Sequence, residues 1–299
     1  MRTKENRVQS LLNEQGIMQI FAVDHRDVFD AALSDCLQHK ADLREIRREK
    51  ERLLKLAEPY VSGCLLDPVC AIEDQTMVMN LQNLNVMMGI ENSNYDIAGI
   101  DDTYLYPYVS LKTMKELGCS MVKLFVYYHP YMEFHKKIKK IITDVADKCR
   151  KEDMPFLLEP ILYSERDLSQ QERFQLMKET LKQLQDIPVT IYKLEFPGDL
   201  QACDDEANII CCQTITELLS CPWIVLSFGV SSEVFEKQIA LAGQGGACGY
   251  AAGRSIWKGR LHGTKEDDRV MQQRMKRYQE ISNRYCVPCM VNKSKGAEE

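Results

Sequence analysis

No run of about 18 apolar residues occurs anywhere in the 299-residue chain, so no transmembrane helix and no membrane partner are expected. The opening MRTKENRVQSLLNEQG is polar and amphipathic, and it lacks the apolar core of a signal peptide. The two absences together make the cytoplasm the expected location. Positive charge is not in excess either: 38 Lys and Arg against 44 Asp and Glu give a net charge of −6. That argues against nucleic acid as a partner, because such binding needs a concentrated basic surface. It still allows a local basic pocket for a small anion. A second well-spaced cysteine pair is also missing. The 12 cysteines are scattered, many inside apolar runs such as VSGCLLDPVC and IICCQTITELL, which fits buried reduced thiols. Only Cys286 and Cys289 stand out, at C-x-x-C spacing. A zinc site usually needs a second pair, so this one reads as incidental and no metal is expected. No linker divides the chain.

What is present is a large apolar fraction, 45%, with 27% charged residues, enough to bury a sizeable core. Near-continuous apolar runs recur at 17–25, 61–70, 85–91, 120–129, 154–162, 190–197, 222–229 and 246–257. Such runs suit parallel strands covered on both faces. Between them lie amphipathic segments. ADLREIRREKERLLKLAEPY and EFHKKIKKIITDVADKC place apolar residues at helical spacing among charges. DLSQQERFQLMKETLKQL opens with Ser169 as a plausible N-cap, and SSEVFEKQIALAGQGG starts in serines and stops in glycines. Eight strands alternating with helices predict a single-domain α/β protein, a (β/α)8 (TIM) barrel over residues 1–299. An N-terminal helix is expected at about 4–15, with a C-terminal helical tail at about 261–299 whose helix spans roughly 265–285 before a polar end. A doubly wound open sheet is the competing fold. The tyrosine-rich stretch 92–109 reads as a functional loop or an interface.

In such barrels the chemistry gathers at the C-terminal strand ends. Those ends carry Asp24, His25 and Arg26 on the first strand, Asp67 on the second, Lys123 on the fourth and Glu159 on the fifth. Lys193 and Glu195 follow on the sixth, Ser227 and Gly229 on the seventh, Gly253 and Arg254 on the eighth. A lysine is a poor nucleophile at its usual pKa near 10.4, and desolvation or a neighbouring cation frees the amine. Lys123 is placed to be that cation. A neutral Lys193 could attack a ketone, form a Schiff base and drain electrons from an adjacent C–C bond. Proton transfer then needs a carboxylic acid: Glu159, which has the better strand position, or Glu195, which lies two residues from Lys193 on the same strand face and alternatively holds an ion pair. Taken alone, a lysine in a strand is more often the partner of a buried carboxylate. Asp24 and Asp67 read equally well as helix caps, and His25 as a structural histidine. SFGV (227–230) and AAGRS (251–255) close the last two strands, where barrels frequently hold phosphate on backbone N–H groups.

The motifs AVDHRD, LLDPVC, KLFVYY, LLEP, YKLEFP, WIVLSFGV and GYAAGRSIW appear in this order over roughly residues 17 to 260. The chain thereby resembles the class I aldolases related to tagatose-1,6-bisphosphate aldolase and sulfofructose-phosphate aldolase. The resemblance implies a lyase of carbohydrate metabolism that uses no metal or cofactor beyond a covalent lysine Schiff base. It implies that Lys193 forms the Schiff base and Glu159 shuttles protons, with Lys123 and Asp24 beside them and Arg26 and Asp67 close by. Ser227, Gly229, Gly253 and Arg254 would hold the phosphate. The implied partner is a small-molecule ketose phosphate, cleaved to dihydroxyacetone phosphate and an aldehyde, and the implied assembly is a homo-oligomer, a dimer or larger. Beside a tagatose-1,6-bisphosphate-like substrate stand three alternatives: a 6-deoxy-6-sulfofructose-1-phosphate aldolase, a transaldolase-type enzyme and a non-catalytic phosphosugar-binding barrel. Two positions depart from the resemblance. His25 stands where relatives usually carry glutamine, and Phe228 where they carry a small residue.

Overall fold

A computed structural model describes residues 3–81, 83–91 and 110–290; the stretch 92–109, with its expected functional loop, lies outside the described residues. Eight parallel strands form a ring: β1 (Met18–Ala22), β2 (Gly63–Leu66), β3 (Asn85–Gly89), β4 (Met121–Tyr128), β5 (Phe156–Leu162), β6 (Ile191–Leu194), β7 (Trp223–Leu226) and β8 (Gly249–Ala252). β1 pairs with β2 through Ile20 opposite Gly63 and with β8 through Met18 opposite Gly249. The ring therefore closes, and the doubly wound open sheet is excluded, since it would leave two edge strands.

The outer layer is helical: α1 (Lys4–Gln9), α2 (Asp27–Leu37), α3 (Leu43–Ala57), α4 (Pro68–Ala71), α5 (Leu111–Glu116), α6 (His135–Lys151), α7 (Gln170–Leu184), α8 (Asp205–Leu218), α9 (Ser232–Gln244), α10 (Arg254–Trp257) and α11 (Lys265–Tyr285). Their starts follow local chemistry. Asp42 with Glu45 and Ser169 with Glu172 form capping boxes at α3 and α7, which satisfy amides that lack a partner in the helix. Ser231 accepts from the Val234 amide at the start of α9.

Two apolar layers result. The inner one fills the barrel with residues such as Met18, Ile20, Leu65, Met87, Met121, Leu157, Ile191 and Ile224. The outer one packs strand faces against helices, with Phe156, Tyr192, Trp223 and Tyr250 among its members. Strand alternation of period 2 sorts residues between the two layers. On β6, Ile191 lies in the inner layer and Tyr192 and Leu194 in the outer one, so Lys193 faces inward. On β4, Met121 faces inward while Val122 and Leu124 face outward, which aims Lys123 at the barrel axis.

Two local expectations are revised. α1 ends at Gln9 rather than near 15, because the chain turns at Ser10 to bury Leu11 beneath the barrel. The second apolar run holds only a four-residue strand, and α4 and a hairpin of Ile72–Glu73 with Thr76–Met77 follow. The last helix, α11, spans the expected 265–285, and the described tail past it is not helical; Val287 and Cys289 donate backbone hydrogen bonds to Ala247 and Gly16, tying it to the barrel floor.

Candidate active site

The inward alternation places Lys193 and Glu159 on neighbouring strands. Register pairs Leu157 with Ile191 and Leu158 with Tyr192, so the next inward residues, Glu159 and Lys193, lie side by side. Lys193 Nζ forms an ion pair with Glu159 Oε1 at 2.9 Å. Both line a cavity of about 230 Å³ at the C-terminal mouth of the barrel, together with Asp24, His25, Ser227, Gly253 and Arg254.

Below this pair sits Lys123, with no exposed surface. Its ammonium donates to Asp24 Oδ2 at 3.0 Å and to Glu91 Oε1 at 2.6 Å. It also lies 3.1 Å from Glu159 Oε2. Three carboxylates around one buried ammonium offset the large cost of desolvating it. Glu91 Oε2 accepts from the Phe125 amide at 3.1 Å, which fixes the carboxylate. Burial pushes the Asp24 carboxyl up, but Lys123, then Lys193 and His25, outweigh it and hold the group well below the usual carboxylate range. The His25 imidazole goes from its ordinary 6.5 down to about 3, first through burial and then through the nearby cations of Arg254 and Lys193, against the pull of Asp24. His25 is thus neutral near pH 7, and its ring packs edge-on to Trp257 at 5.4 Å.

The last two strand ends form a turn and a short helix. Ser227 accepts from the Val230 amide at 3.0 Å, closing a turn across Phe228 and Gly229. Both central residues are left-handed, Phe228 at φ 46° and Gly229 at φ 80°. A Cβ on Gly229 would also stand 3.3 Å from the Arg254 guanidinium, so glycine lets the two approach. Among the described residues, the Phe228 and Gly229 amides meet no protein acceptor. Gly253 packs onto β1, where a Cβ would stand 2.6 Å from the Ala22 carbonyl oxygen.

The mouth of the barrel thus collects an amine against a carboxyl group, with a guanidinium and unpaired amides nearby. Residues 19–259 match the profile described as DeoC/LacD family aldolase. The chain belongs to the DeoC/LacD aldolases. It is 27% identical over 303 residues to the tagatose 1,6-diphosphate aldolase of Listeria monocytogenes serotype 4a (strain HCC23), spanning 90% of this chain and 86% of that one. It is 25% identical over 284 residues to tagatose 1,6-diphosphate aldolase 2 of Streptococcus agalactiae serotype III (strain NEM316), spanning 86% and 85%. An archaeal fructose-1,6-bisphosphate aldolase, solved with its catalytic lysine covalently bound to the carbinolamine intermediate, superposes with a TM-score of 0.68 at 16% identity. That likeness covers 94% of this chain and 99% of the other, and it is a likeness of fold.

Most of the sequence-selected residues of this aldolase meet in one place: Asp24, Glu159, Lys193, Ser227, Gly253 and Arg254 line the cavity, Gly229 abuts Arg254, and Lys123 supports the pair from below. Arg26 and Asp67 are not among the described lining residues. Asp67 caps α4 through the Cys70 amide and pairs with the buried ammonium of Lys50 at 2.7 Å. Arg26 sits at the start of α2. Of the two acids open in the sequence, Glu195 is engaged elsewhere: it pairs with Arg173 of α7 at 2.6 Å and accepts from the Leu162 amide. Burial pushes its carboxyl up against the opposing pull of Arg173. Glu91 is a site residue that the reading of strand ends passed over. It ends the third apolar run, NVMMGIE, just as Glu159 stands in the fifth, and the same rule applied to that strand selects it.

Proposed function

We propose that this aldolase cleaves a phosphorylated ketose to dihydroxyacetone phosphate and an aldehyde through a Schiff base on Lys193. The 2.9 Å approach of Lys193 Nζ to Glu159 Oε1 inside the cavity carries this reading. Transfer of the ammonium proton to Glu159 frees the amine, which attacks the C2 ketone and forms a carbinolamine. Glu159 returns the proton to the carbinolamine hydroxyl, water leaves, and an iminium remains. Glu159, again a carboxylate, takes the proton of the C4 hydroxyl. The C3–C4 bond breaks, its electron pair passes to the iminium to form an enamine, and the aldehyde departs. Protonation at C3 and hydrolysis release dihydroxyacetone phosphate and restore the amine. The electron sink is the covalent iminium, so this route calls on no further cofactor.

Lys123 acts as a positioning residue. It fixes Asp24 and Glu159 and keeps a positive charge below the amine. Arg254 and the Phe228 and Gly229 amides suit the C1 phosphate, since a planar guanidinium and converging N–H groups match its oxygens. Assembly as a homo-oligomer belongs with this reading and is checked by sedimentation.

The test is a coupled assay of dihydroxyacetone phosphate release over a panel of phosphorylated ketoses, tagatose-configured and sulfonated members included. We expect release without any added acceptor aldehyde, which separates an aldolase from a transaldolase-type enzyme. Lys193→Met is expected to lose at least about a thousandfold in turnover. Full activity in that variant would refute the proposal.

A further inference from the structure

The catalytic cavity has two unlike ends. β7, β8 and β1 contribute Ser227, Gly253, Arg254 and Asp24, the polar end. Half a ring away, β4 and β5 contribute Phe125, Tyr127 and Ile161, and Leu226 at the end of β7 joins that side. Phe125, Ile161 and Leu226 form a small apolar cluster of their own, with Tyr127 packed against it. The Phe125 and Tyr127 rings meet edge-on at 5.0 Å.

Cations are scarce here. Among the described lining residues only Lys193 and Arg254 are cationic, while Asp24 and Glu159 are acidic. His25 is neutral, and Lys123 is held by three carboxylates. With the amine at the ketone and the guanidinium at the C1 phosphate, no further cation among the described lining residues stands ready for a second phosphate.

The next cation is close but walled off. A second cavity of about 210 Å³ adjoins the first and contains Arg173, paired with Glu195, beside Gln170 and Gln238. Leu226 and Phe228 line both cavities and so form the wall between them. Phe228 holds this place at a left-handed φ of 46°, a conformation costly for a bulky residue, and it is 53% exposed. Neither backbone preference nor burial explains a phenylalanine here.

We propose that the aldehyde half of the substrate ends in an uncharged group, so that the preferred substrate is a ketose 1-phosphate rather than a 1,6-bisphosphate, and that Phe228 sets this preference by closing the path to Arg173. This inference rests on the Schiff-base reading above. A bisphosphate would have to desolvate its far phosphate against an aromatic wall and two carboxylates, which is costly without a partner. A ketose with hydrogen or hydroxyl at C6 would not.

The experiment compares kcat/KM for a ketohexose 1,6-bisphosphate, the matching 1-phosphate and the matching 6-deoxy 1-phosphate, in the wild type and in Phe228→Ala. The best monophosphate is expected to exceed the bisphosphate at least about tenfold in the wild type, and the ratio is expected to fall by a similar factor in the variant. A wild-type preference for the bisphosphate overturns the proposal. An unchanged ratio in Phe228→Ala overturns the assignment to that ring. Exchange of the C3 proton of dihydroxyacetone phosphate with deuterated water, followed by NMR, reports the enamine whatever the aldehyde. Absence of exchange overturns the Schiff-base reading and this inference with it. Exchange together with a bisphosphate preference overturns this inference alone.

Discussion

Asp24 and His25 are consecutive, both nearly buried, and pulled by the same neighbours to opposite ends. Cations hold the carboxylate charged, and burial with those cations keeps the imidazole neutral. The histidine gives a pH signature. Its pKa is near 6.5 when exposed in the unfolded chain and about 3 in the folded one. Between those values the unfolded state binds the extra proton, so acid favours unfolding. Stability therefore falls as pH drops from 6.5 towards 3, by at most about 1.4 kcal/mol per pH unit from this group. His25→Gln is expected to flatten that part of the profile in urea titrations; an unaltered slope would mean that the imidazole is charged in the folded protein. The sequence made this corner partly legible. Acids and lysines at successive strand ends marked the site, because only function or tight pairing keeps charges inside apolar runs. It favoured Glu159 over Glu195 by strand position, but it could not show what occupies Glu195, since that is Arg173, which approaches from a helix. Nor could it show that Asp67 answers Lys50, since Lys50 lies in an ordinary charged helix.

At the scale of elements, the helices were readable wherever a cap stood at their head, and strands wherever apolar runs were long. Ser169 and Ser231 cap as their positions suggest. The run 61–70 misleads because Asp67 stops the strand by capping α4, after which Pro68 starts a helical turn with no amide to lose. The cap of α9 has a consequence beyond its own helix, because that helix begins two residues after the turn of Phe228 and Gly229. Ser231→Ala is expected to cost about 1 kcal/mol in stability, read from denaturant midpoints. It is also expected to raise KM for the phosphorylated ketose through a looser turn. A KM that does not move would place the turn's rigidity in Gly229 and Arg254 instead.

For the whole molecule, closure of the ring makes the site. Residues from β1 and β8, distant in sequence, become neighbours, and β4 and β5 face them across the mouth. The order of motifs along the chain made the barrel legible, whereas the width of the mouth and the wall between its two cavities depend on side-chain packing that no pattern encodes. A ligand held by the closed ring should stabilise it as a unit. Dihydroxyacetone phosphate at a hundred times its Kd is worth about 2.7 kcal/mol. Thermal melts are expected to shift upward with this ligand in the wild type and much less in Arg254→Ala. An equal shift in both would place the phosphate elsewhere.

Covalent trapping tests the central claim most directly. The protein is reduced with borohydride in the presence of dihydroxyacetone phosphate, digested, and its peptides mapped by mass. One adduct, on the peptide that carries Lys193, is the expected result. No adduct, or one on Lys123 in its place, would contradict the account.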